Sequence, residues 1–149
     1  MENSKWNLTL SAIGHCREMR NTLIDTSVWI DFFNGKLTES SKSKVADLLM
    51  EDKACFDGII LAELMVGANP KDEQFIKTNF EGMHYLEADQ DFFVNAAKKG
   101  NQLKRKGLSI PLNDILIFQH AYQNNLCLMT RDSHFKAIQE HFSYTLLFL

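Results

Sequence analysis

TLIDTSVWIDFF is the sequence of residues 22–33, and the fold prediction starts from the change of pattern within it. The apolar run from Thr22 to Asp25 is typical of a short buried strand. Thr26 and Ser27 then offer side-chain oxygens that can cap a helix, which is predicted to continue to about Phe33. A strand followed at once by a helix is the unit from which α/β proteins are built.

The rest of the chain repeats this alternation. Further strands are predicted at residues 54–56, 83–86, 126–129 and 144–148, and further helices at 39–51, 58–66, 72–80, 89–106, 111–123 and 133–141. The helix at 58–66 is apolar on nearly all sides, which predicts that it is buried. The alternation predicts one α/β domain over residues 19–149 with a mostly parallel sheet, whose ligands bind beyond the carboxyl ends of the strands. Residues 1–18 form an N-terminal extension to which no pattern assigns a role.

Four acidic residues stand beside or inside apolar runs, where ionised carboxylates are rare unless they have a partner. They are Asp25, Glu63, Asp114 and Asp132. Taken singly, the three aspartates each suit the start of a helix, but Glu63 lies inside a helical pattern without a charged neighbour. Because no lysine or arginine recurs beside them, the four together predict one shared divalent cation.

Ligands that are all oxygen favour Mg²⁺ or Mn²⁺. Zinc is disfavoured because none of the four acids has a histidine or cysteine at zinc-ligand spacing, and His134 is interpreted as an exposed residue on a helix face. The chain contains neither a nucleotide-cradling glycine motif nor a Gly-x-Ser-x-Gly motif. A carboxylate-held metal without a nucleotide motif points to phosphodiester hydrolysis, and therefore to a nuclease.

Four segments resemble, in order and spacing, the sequence motifs of PIN-domain proteins, and the resemblance covers about residues 20–148. The segments are LIDTSVWIDFF at 23–33, AELMVG at 62–67, IPLNDILI at 110–117 and MTRDSHF at 129–135. Within that superfamily, the short chain resembles the VapC-type toxins of toxin–antitoxin modules. One departure is that Asn113, Ile115 and residues 118–120 replace the smaller residues common after the third acid, which leaves the packing of that helix open.

The resemblance implies a three-layer sandwich with a central, mostly parallel sheet between helices. It implies a Mg²⁺- or Mn²⁺-dependent endoribonuclease in which Asp25, Glu63, Asp114 and Asp132 are the metal-binding and catalytic residues, and Thr130 supports the site. It also implies an antitoxin partner and a homodimer.

Two surfaces are predicted to meet partners. The aromatic side chains Trp29 and Phe33 are candidates for contact with the antitoxin, unless both faces of their helix belong to the core. Residues 92–113 contain no acid, and the candidate RNA-binding residues in that stretch are Lys98, Lys99, Lys104, Arg105 and Lys106. The alternative for these residues is a solvated helix face.

Other functions stay open at this stage. The net charge of −3 and the pI near 5.9 do not suit a strong nonspecific nucleic-acid binder. Three cysteines without a CxxC pair and the lack of an apolar run of about 20 residues predict a cytoplasmic protein without a membrane segment. The alternatives are a PIN-like nuclease that acts in RNA processing or on DNA, a phosphotransfer domain with Asp25 as acceptor, and a non-catalytic binding module of the same fold.

Overall fold

The computed structural model describes residues 21–149, so the extension predicted at residues 1–18 lies outside the described residues. The described residues form five strands: β1 (Thr22–Ile24), β2 (Ala54–Asp57), β3 (His84–Leu86), β4 (Cys127–Thr130) and β5 (Thr145–Phe148). They also form seven helices: α1 (Thr26–Phe33), α2 (Glu39–Met50), α3 (Gly58–Val66), α4 (Pro70–Phe80), α5 (Gln90–Arg105), α6 (Leu112–Gln123) and α7 (Ser133–Gln139). Each predicted element is present, with small shifts at its ends.

The five strands form one parallel sheet in the order β3-β2-β1-β4-β5, flanked by the helices, which confirms the predicted fold class. The pairs Leu23–Leu128 and Ile24–Met129 set the register between β1 and β4. From β1 the chain adds β2 and β3 on one side, and then crosses over to add β4 and β5 on the other. The strand order therefore reverses between β1 and β4, and in such sheets the ligand crevice lies beyond the carboxyl ends of the strands at this point.

The core lies along the central strands and the helices packed on them. Leu23, Val28 and Leu128 are completely buried. Trp29 is also buried, at 1% exposure, with its ring stacked 5.7 Å from that of Phe33 and tilted against that of Phe80 at 5.0 Å. This corrects the prediction that Trp29 contacts a partner, because its ring fills the core and does not reach the surface.

Helix α3 is only partly buried, which corrects the expectation that it lies inside the protein. Ile60 and Leu64 face the core, whereas Val66 is 89% exposed. An apolar composition on all sides does not require burial on all sides, because large apolar residues are common on protein surfaces.

Helix α6 packs well despite its large residues. Ile117 and Phe118 are completely buried. Gly100 of α5 makes room for Ile115 of α6, because a Cβ atom at Gly100 would lie 2.8 Å from Ile115 Cδ1. The close approach of α5 and α6 accommodates the departure from the smaller residues expected in this helix. Among the residues described, no helix is long and apolar enough to cross a membrane.

Candidate acidic active site

The four predicted acids line one cleft of about 930 Å³ at the carboxyl edge of the sheet, which we call the acidic cleft. Asp25 follows β1 directly, and Asp132 lies two residues beyond β4. Asp114 is in the first turn of α6, and Glu63 is in the middle of α3. Side chains that are up to 107 residues apart in the chain therefore meet at the point where the strand order reverses.

Asp25 is the most buried of the four acids, with 4% exposure. It caps the N-terminus of α1, and its Oδ2 atom accepts hydrogen bonds from Ser27 Oγ at 2.6 Å and from Thr130 Oγ1 at 2.9 Å. Burial raises the pKa of Asp25, and the hydrogen bonds from Ser27 and Thr130 oppose that rise. The carboxylate is thus held in one orientation but is costly to ionise.

Thr130 and Ser27 tie the ends of β1 and β4 together. Besides donating to Asp25, Thr130 Oγ1 accepts a hydrogen bond from the backbone N–H of Asp132 at 2.9 Å. Ser27 Oγ likewise accepts from the backbone N–H of Arg131 at 3.1 Å. The two hydroxyl groups fix the loop after β4 relative to Asp25, so the position of Asp132 depends on them.

Glu63 is held by residues adjacent to two other acids. Its Oε2 atom accepts a hydrogen bond of 2.5 Å from Thr26 Oγ1, and its Oε1 atom accepts one of 2.8 Å from Asn113 Nδ2. Thr26 follows Asp25, and Asn113 precedes Asp114. A helix-interior carboxylate without a charged partner is therefore satisfied by two polar side chains of the cleft.

His134 lies between Asp114 and Asp132, which corrects its interpretation as a simple exposed helix residue. Its Nδ1 atom is 2.7 Å from Asp114 Oδ2 and 3.2 Å from Asp132 Oδ1. Asp132 caps α7 and accepts a hydrogen bond from the backbone N–H of His134 at 2.9 Å. This capping contact places the imidazole in the first turn of α7, facing the cleft.

The negative charge of the cleft affects the pKa of Asp114. Burial and, to a smaller extent, the negative charges of Asp132 and Asp25 raise the pKa of Asp114 to about 6, while the hydrogen bond to His134 opposes the rise. Carboxylates that raise one another's pKa in this way need either protons or a cation to offset their repulsion.

The donor set fits a hard divalent cation. One ligand atom each from Asp114, Asp132 and His134 can be chosen so that all three lie within 4.8 Å of one another. Within residues 21–149, none of the four acids forms an ion pair with a lysine or arginine; the nearby Arg131 pairs with Asp31 at 2.5 Å. Carboxylate oxygens without a lysine or arginine partner suit Mg²⁺ or Mn²⁺, and the imidazole of His134 adds one nitrogen ligand.

The sequence reasoning missed a fifth acid, Asp57, and its neighbour His120. Asp57 is completely buried at the end of β2, and its Oδ1 atom caps α3 by accepting from the backbone N–H of Ile60 at 2.8 Å. Its Oδ2 atom is 3.8 Å from His120 Nε2, and within residues 21–149 neither that oxygen nor either ring nitrogen has a hydrogen-bond partner. Burial raises the pKa of Asp57 to about 6 and lowers the pKa of His120 to about 4.

An acid directly after an apolar strand was the signal that identified Asp25, and the same signal is present at Asp57. The charge of Asp57 interacts with the acids of the cleft, since Glu63 and Asp25 contribute to raising the pKa of Asp57. His120 lines the acidic cleft and stacks on Phe92 at 4.1 Å. His120 therefore forms part of the wall of the cleft, and the buried Asp57 adjoins it.

The candidate RNA-binding residues Lys98, Lys99, Lys104, Arg105 and Lys106 do not line the acidic cleft. Lys99 Nζ lies 4.8 Å above the ring of Tyr122, and Lys106 Nζ is 3.3 Å from His141 Nδ1. A role for this basic surface in binding RNA stays a prediction.

A second depression, which we call the aromatic groove, lies between α1, α3 and α4 and measures about 270 Å³. Phe33 and the half-exposed Phe75 line it, with their rings 5.4 Å apart in an edge-to-face arrangement. Ile30 and Glu63 line both this groove and the acidic cleft. The aromatic groove is therefore continuous with the acids.

The model of the PIN domain family matches residues 22–140, and the chain belongs to that family. The resemblance inferred from the four sequence segments is thereby confirmed. No curated protein sequence matches the chain.

Solved structures with the same fold come from toxin–antitoxin complexes. A chain of VapBC2 from Rickettsia felis, crystallised with a promoter DNA fragment, has 22% identity and a TM-score of 0.68 over 86% of this chain and 98% of that chain. A chain of DNA-bound VapBC from Salmonella typhimurium has 19% identity and a TM-score of 0.70, over 86% and 97%. A chain of VapBC-5 from Mycobacterium tuberculosis has 23% identity and a TM-score of 0.60, over 87% and 99%. At these identities the likeness shows a shared fold.

Proposed function

We propose that this protein is a Mg²⁺- or Mn²⁺-dependent endoribonuclease and the toxin of a type II toxin–antitoxin pair. The observation that carries the proposal is the meeting of Asp25, Glu63, Asp114 and Asp132 in one cleft of a PIN domain. Without a lysine or arginine partner for any of them among the described residues, a bound cation is the simplest counter-charge. The names of the similar structures, which are toxin–antitoxin complexes, support the toxin role.

The residues of the cleft have separate roles in the proposed hydrolysis. A bound divalent cation would supply a more acidic water and offset the charge on the departing oxygen of the phosphodiester. Asp25, held by Ser27 and Thr130, and Asp114 would hold the ion. Glu63 and Asp132 are half-buried and border the cleft, so either carboxylate can accept a proton from the attacking water.

Cleavage of total cellular RNA by the purified protein, with and without Mn²⁺, tests the proposal. We expect cleavage only with the metal, and we expect Asp25→Asn to abolish it while the fold persists or gains stability, because a buried charge is removed. Asp91→Asn is the matched control, since Asp91 is exposed in the first turn of α5 and does not line the cleft. Robust cleavage by Asp25→Asn contradicts the assignment.

The same assay separates the proposal from its alternatives. Parallel reactions with single-stranded and double-stranded DNA identify a DNA nuclease, and the absence of cleavage of every substrate favours a non-catalytic binding module. In cells, expression of the wild-type chain should arrest growth, and Asp25→Asn should relieve that arrest.

The partner we propose for the aromatic groove is an apolar helix of a cognate antitoxin. The groove offers Phe33 and Phe75 to apolar side chains, and because it also reaches Glu63, a basic residue of the partner can extend into the acidic cleft. Phe75→Asp should prevent formation of the complex, whereas Phe148→Asp, at the opposite edge of the molecule, should leave it intact. If the complex forms equally well with Phe75→Asp, the antitoxin binds elsewhere on the protein.

Light scattering of the isolated chain tests the proposed homodimer.

A further inference from the structure

Two half-exposed aromatic rings share the acidic cleft with the catalytic carboxylates. Tyr85 of β3 is 51% exposed, and Phe93 of α5 is 48% exposed. Both rings line the cleft that contains the four acids. The cleft is also lined by the apolar residues Ile59, Ala62, Val66, Leu86 and Ala88. It therefore combines the four acids with apolar side chains and two accessible rings.

Both rings are held from behind by buried aromatic neighbours. The ring of Tyr85 packs 5.2 Å from that of the buried Phe56, and the ring of Phe93 packs edge to face, 5.2 Å from that of the buried Phe92. Phe92 in turn stacks on His120 at 4.1 Å. Rings that are already ordered lose little conformational freedom when a flat ligand binds on their exposed faces.

Gly58 allows the ring of Tyr85 to approach the start of α3. A Cβ atom at Gly58 would lie 3.0 Å from Tyr85 Oη, which is tighter than ordinary van der Waals contact. A side chain at this position would therefore require the phenol to shift by a few tenths of an ångström. The missing side chain and the packing of Phe56 together keep Tyr85 over the cleft.

The chemistry of the cleft favours one occupant. A polynucleotide whose phosphate lies at the acids must continue along the cleft, and its bases are flat and have two apolar faces. Stacking of bases on aromatic side chains is a general mode of single-strand recognition and tolerates any base. An antitoxin helix has a different surface available in the aromatic groove, where Phe33 and Phe75 lie.

We infer that Tyr85 and Phe93 form a nucleobase-stacking subsite for single-stranded RNA, next to the position of the cleaved phosphodiester. The inference rests on the proposed ribonuclease function and adds to it two residues that contact the bases of the substrate. Because stacking does not read hydrogen-bonding edges, this subsite selects for an unpaired base and does not select its identity.

Binding of a fluorescein-labelled single-stranded oligoribonucleotide tests the subsite. The parent protein is Asp25→Asn, so that the RNA stays intact. Tyr85→Ala and Phe93→Ala should each raise Kd by about 5- to 150-fold, the range that one stacked base contributes. Phe148→Ala is the matched control, because Phe148 is a partly exposed aromatic residue of β5, at the edge of the sheet opposite β3, and it lies outside the cleft. Its Kd should stay within about twofold of the parent value.

Oligonucleotides with a single abasic position, moved along the strand, identify the stacked base. At one position the abasic change should weaken binding to the parent protein, and Phe93→Ala should then have no further effect. If Phe93→Ala loses the same affinity for the intact strand as for every abasic strand, the inference is overturned. Unchanged RNA binding by both variants overturns it too. Light scattering measures self-association of the same variants, and a capture assay measures their binding to the antitoxin. If the variants lose either interaction while their RNA binding is unchanged, the two rings belong to a protein interface.

The two proposals fail in different ways. If the parent binds no RNA and the wild-type chain cleaves none, the ribonuclease proposal fails. If the parent binds RNA and the aromatic variants bind it equally well, only the subsite is wrong.

Discussion

Replacing Asp57 by asparagine should stabilise the metal-free protein near pH 7. Burial raises the pKa of Asp57 to about 6 from its ordinary value of 3.8. The rise of about two units corresponds to about 3 kcal/mol, because one unit is worth about 1.4 kcal/mol. That figure is an upper limit for the variant, since asparagine brings its own cost of burial. Asparagine can keep the capping bond to the backbone N–H of Ile60 and can donate its amide hydrogen toward His120 Nε2.

The sign of the effect depends on pH in a defined way. Because the pKa of Asp57 is higher in the folded protein than in the unfolded chain, the folded state binds the proton more tightly. The contribution to stability is complete below about pH 4 and is lost as pH rises through about pH 6. The charged groups facing Asp57 are Glu63 and Asp25, which raise its pKa, and the pKa of His120 is lowered to about 4, so His120 is neutral above that pH. The gain from Asp57→Asn should therefore be largest above pH 6 and should vanish near pH 4.

Urea unfolding followed by circular dichroism between about pH 4 and pH 8 measures this difference. We expect a gain of about 1–3 kcal/mol near pH 7, equivalent to a rise in Tm of roughly 2–12 °C for a chain of this size. Asp89→Asn is the matched control, because Asp89 caps α5 through an equivalent 2.8 Å bond to the backbone N–H of Phe92 but is exposed. Asp89→Asn should change the free energy of unfolding by no more than about 0.5 kcal/mol. A loss of stability in Asp57→Asn near pH 7 would refute the reasoning, since it would show that Asp57 is paired with a charged imidazole.

Three further predictions concern the site. The unfolding free energy of the metal-free wild-type protein should fall as pH rises from about 4 to 6, because burial raises the pKa of both Asp57 and Asp114 to about 6; a flat profile in urea titrations would contradict the raised values. His134→Ala should weaken the binding of Mn²⁺ more than the binding of Mg²⁺ in calorimetric titrations, because Mn²⁺ accepts a nitrogen ligand more readily. Equal losses of affinity for the two ions would place His134 outside the metal's ligands. Thr130→Val should cost about 1–3 kcal/mol in urea unfolding and should impair cleavage, because it removes one of the hydrogen bonds to Asp25 and takes away the acceptor for the backbone N–H of Asp132; unchanged stability would show that Thr130 does not hold the site together.

The fold was predictable because its pattern is local. Short apolar strands alternate with amphipathic or capped helices, and that alternation fixes a parallel sheet whatever the order of its strands. The four acids were predictable for the same reason, since each stands against an apolar run that is visible in the sequence. Their meeting at the reversal between β1 and β4 follows from the strand order, which the alternation alone does not specify.

The parts that were missed depend on tertiary contacts. Asp57 has the same sequence signal as Asp25 but looks like an ordinary helix cap until β2 is placed beside β1. His134 was assigned to an exposed face because its distance from Asp114 is set by the packing of α7 on α6. Trp29 was a candidate for partner contact, with a core position left open, because a helix with aromatic residues on two sides does not show which side the core will cover. Tyr85 and Phe93 belong to the cleft only because β3 and α5 border it.

Titration of the wild-type protein with Mn²⁺ near pH 7, followed by thermal unfolding, tests most directly whether the four carboxylates form one cation site. Binding should stabilise the protein by about 2.7 kcal/mol when free Mn²⁺ is about 100 times Kd. Asp25→Asn and Asp114→Asn should each lose most of that gain, while Asp91→Asn should keep it. A wild-type protein that gains no stability from Mn²⁺, or variants that gain as much as the wild type, would contradict a shared metal site.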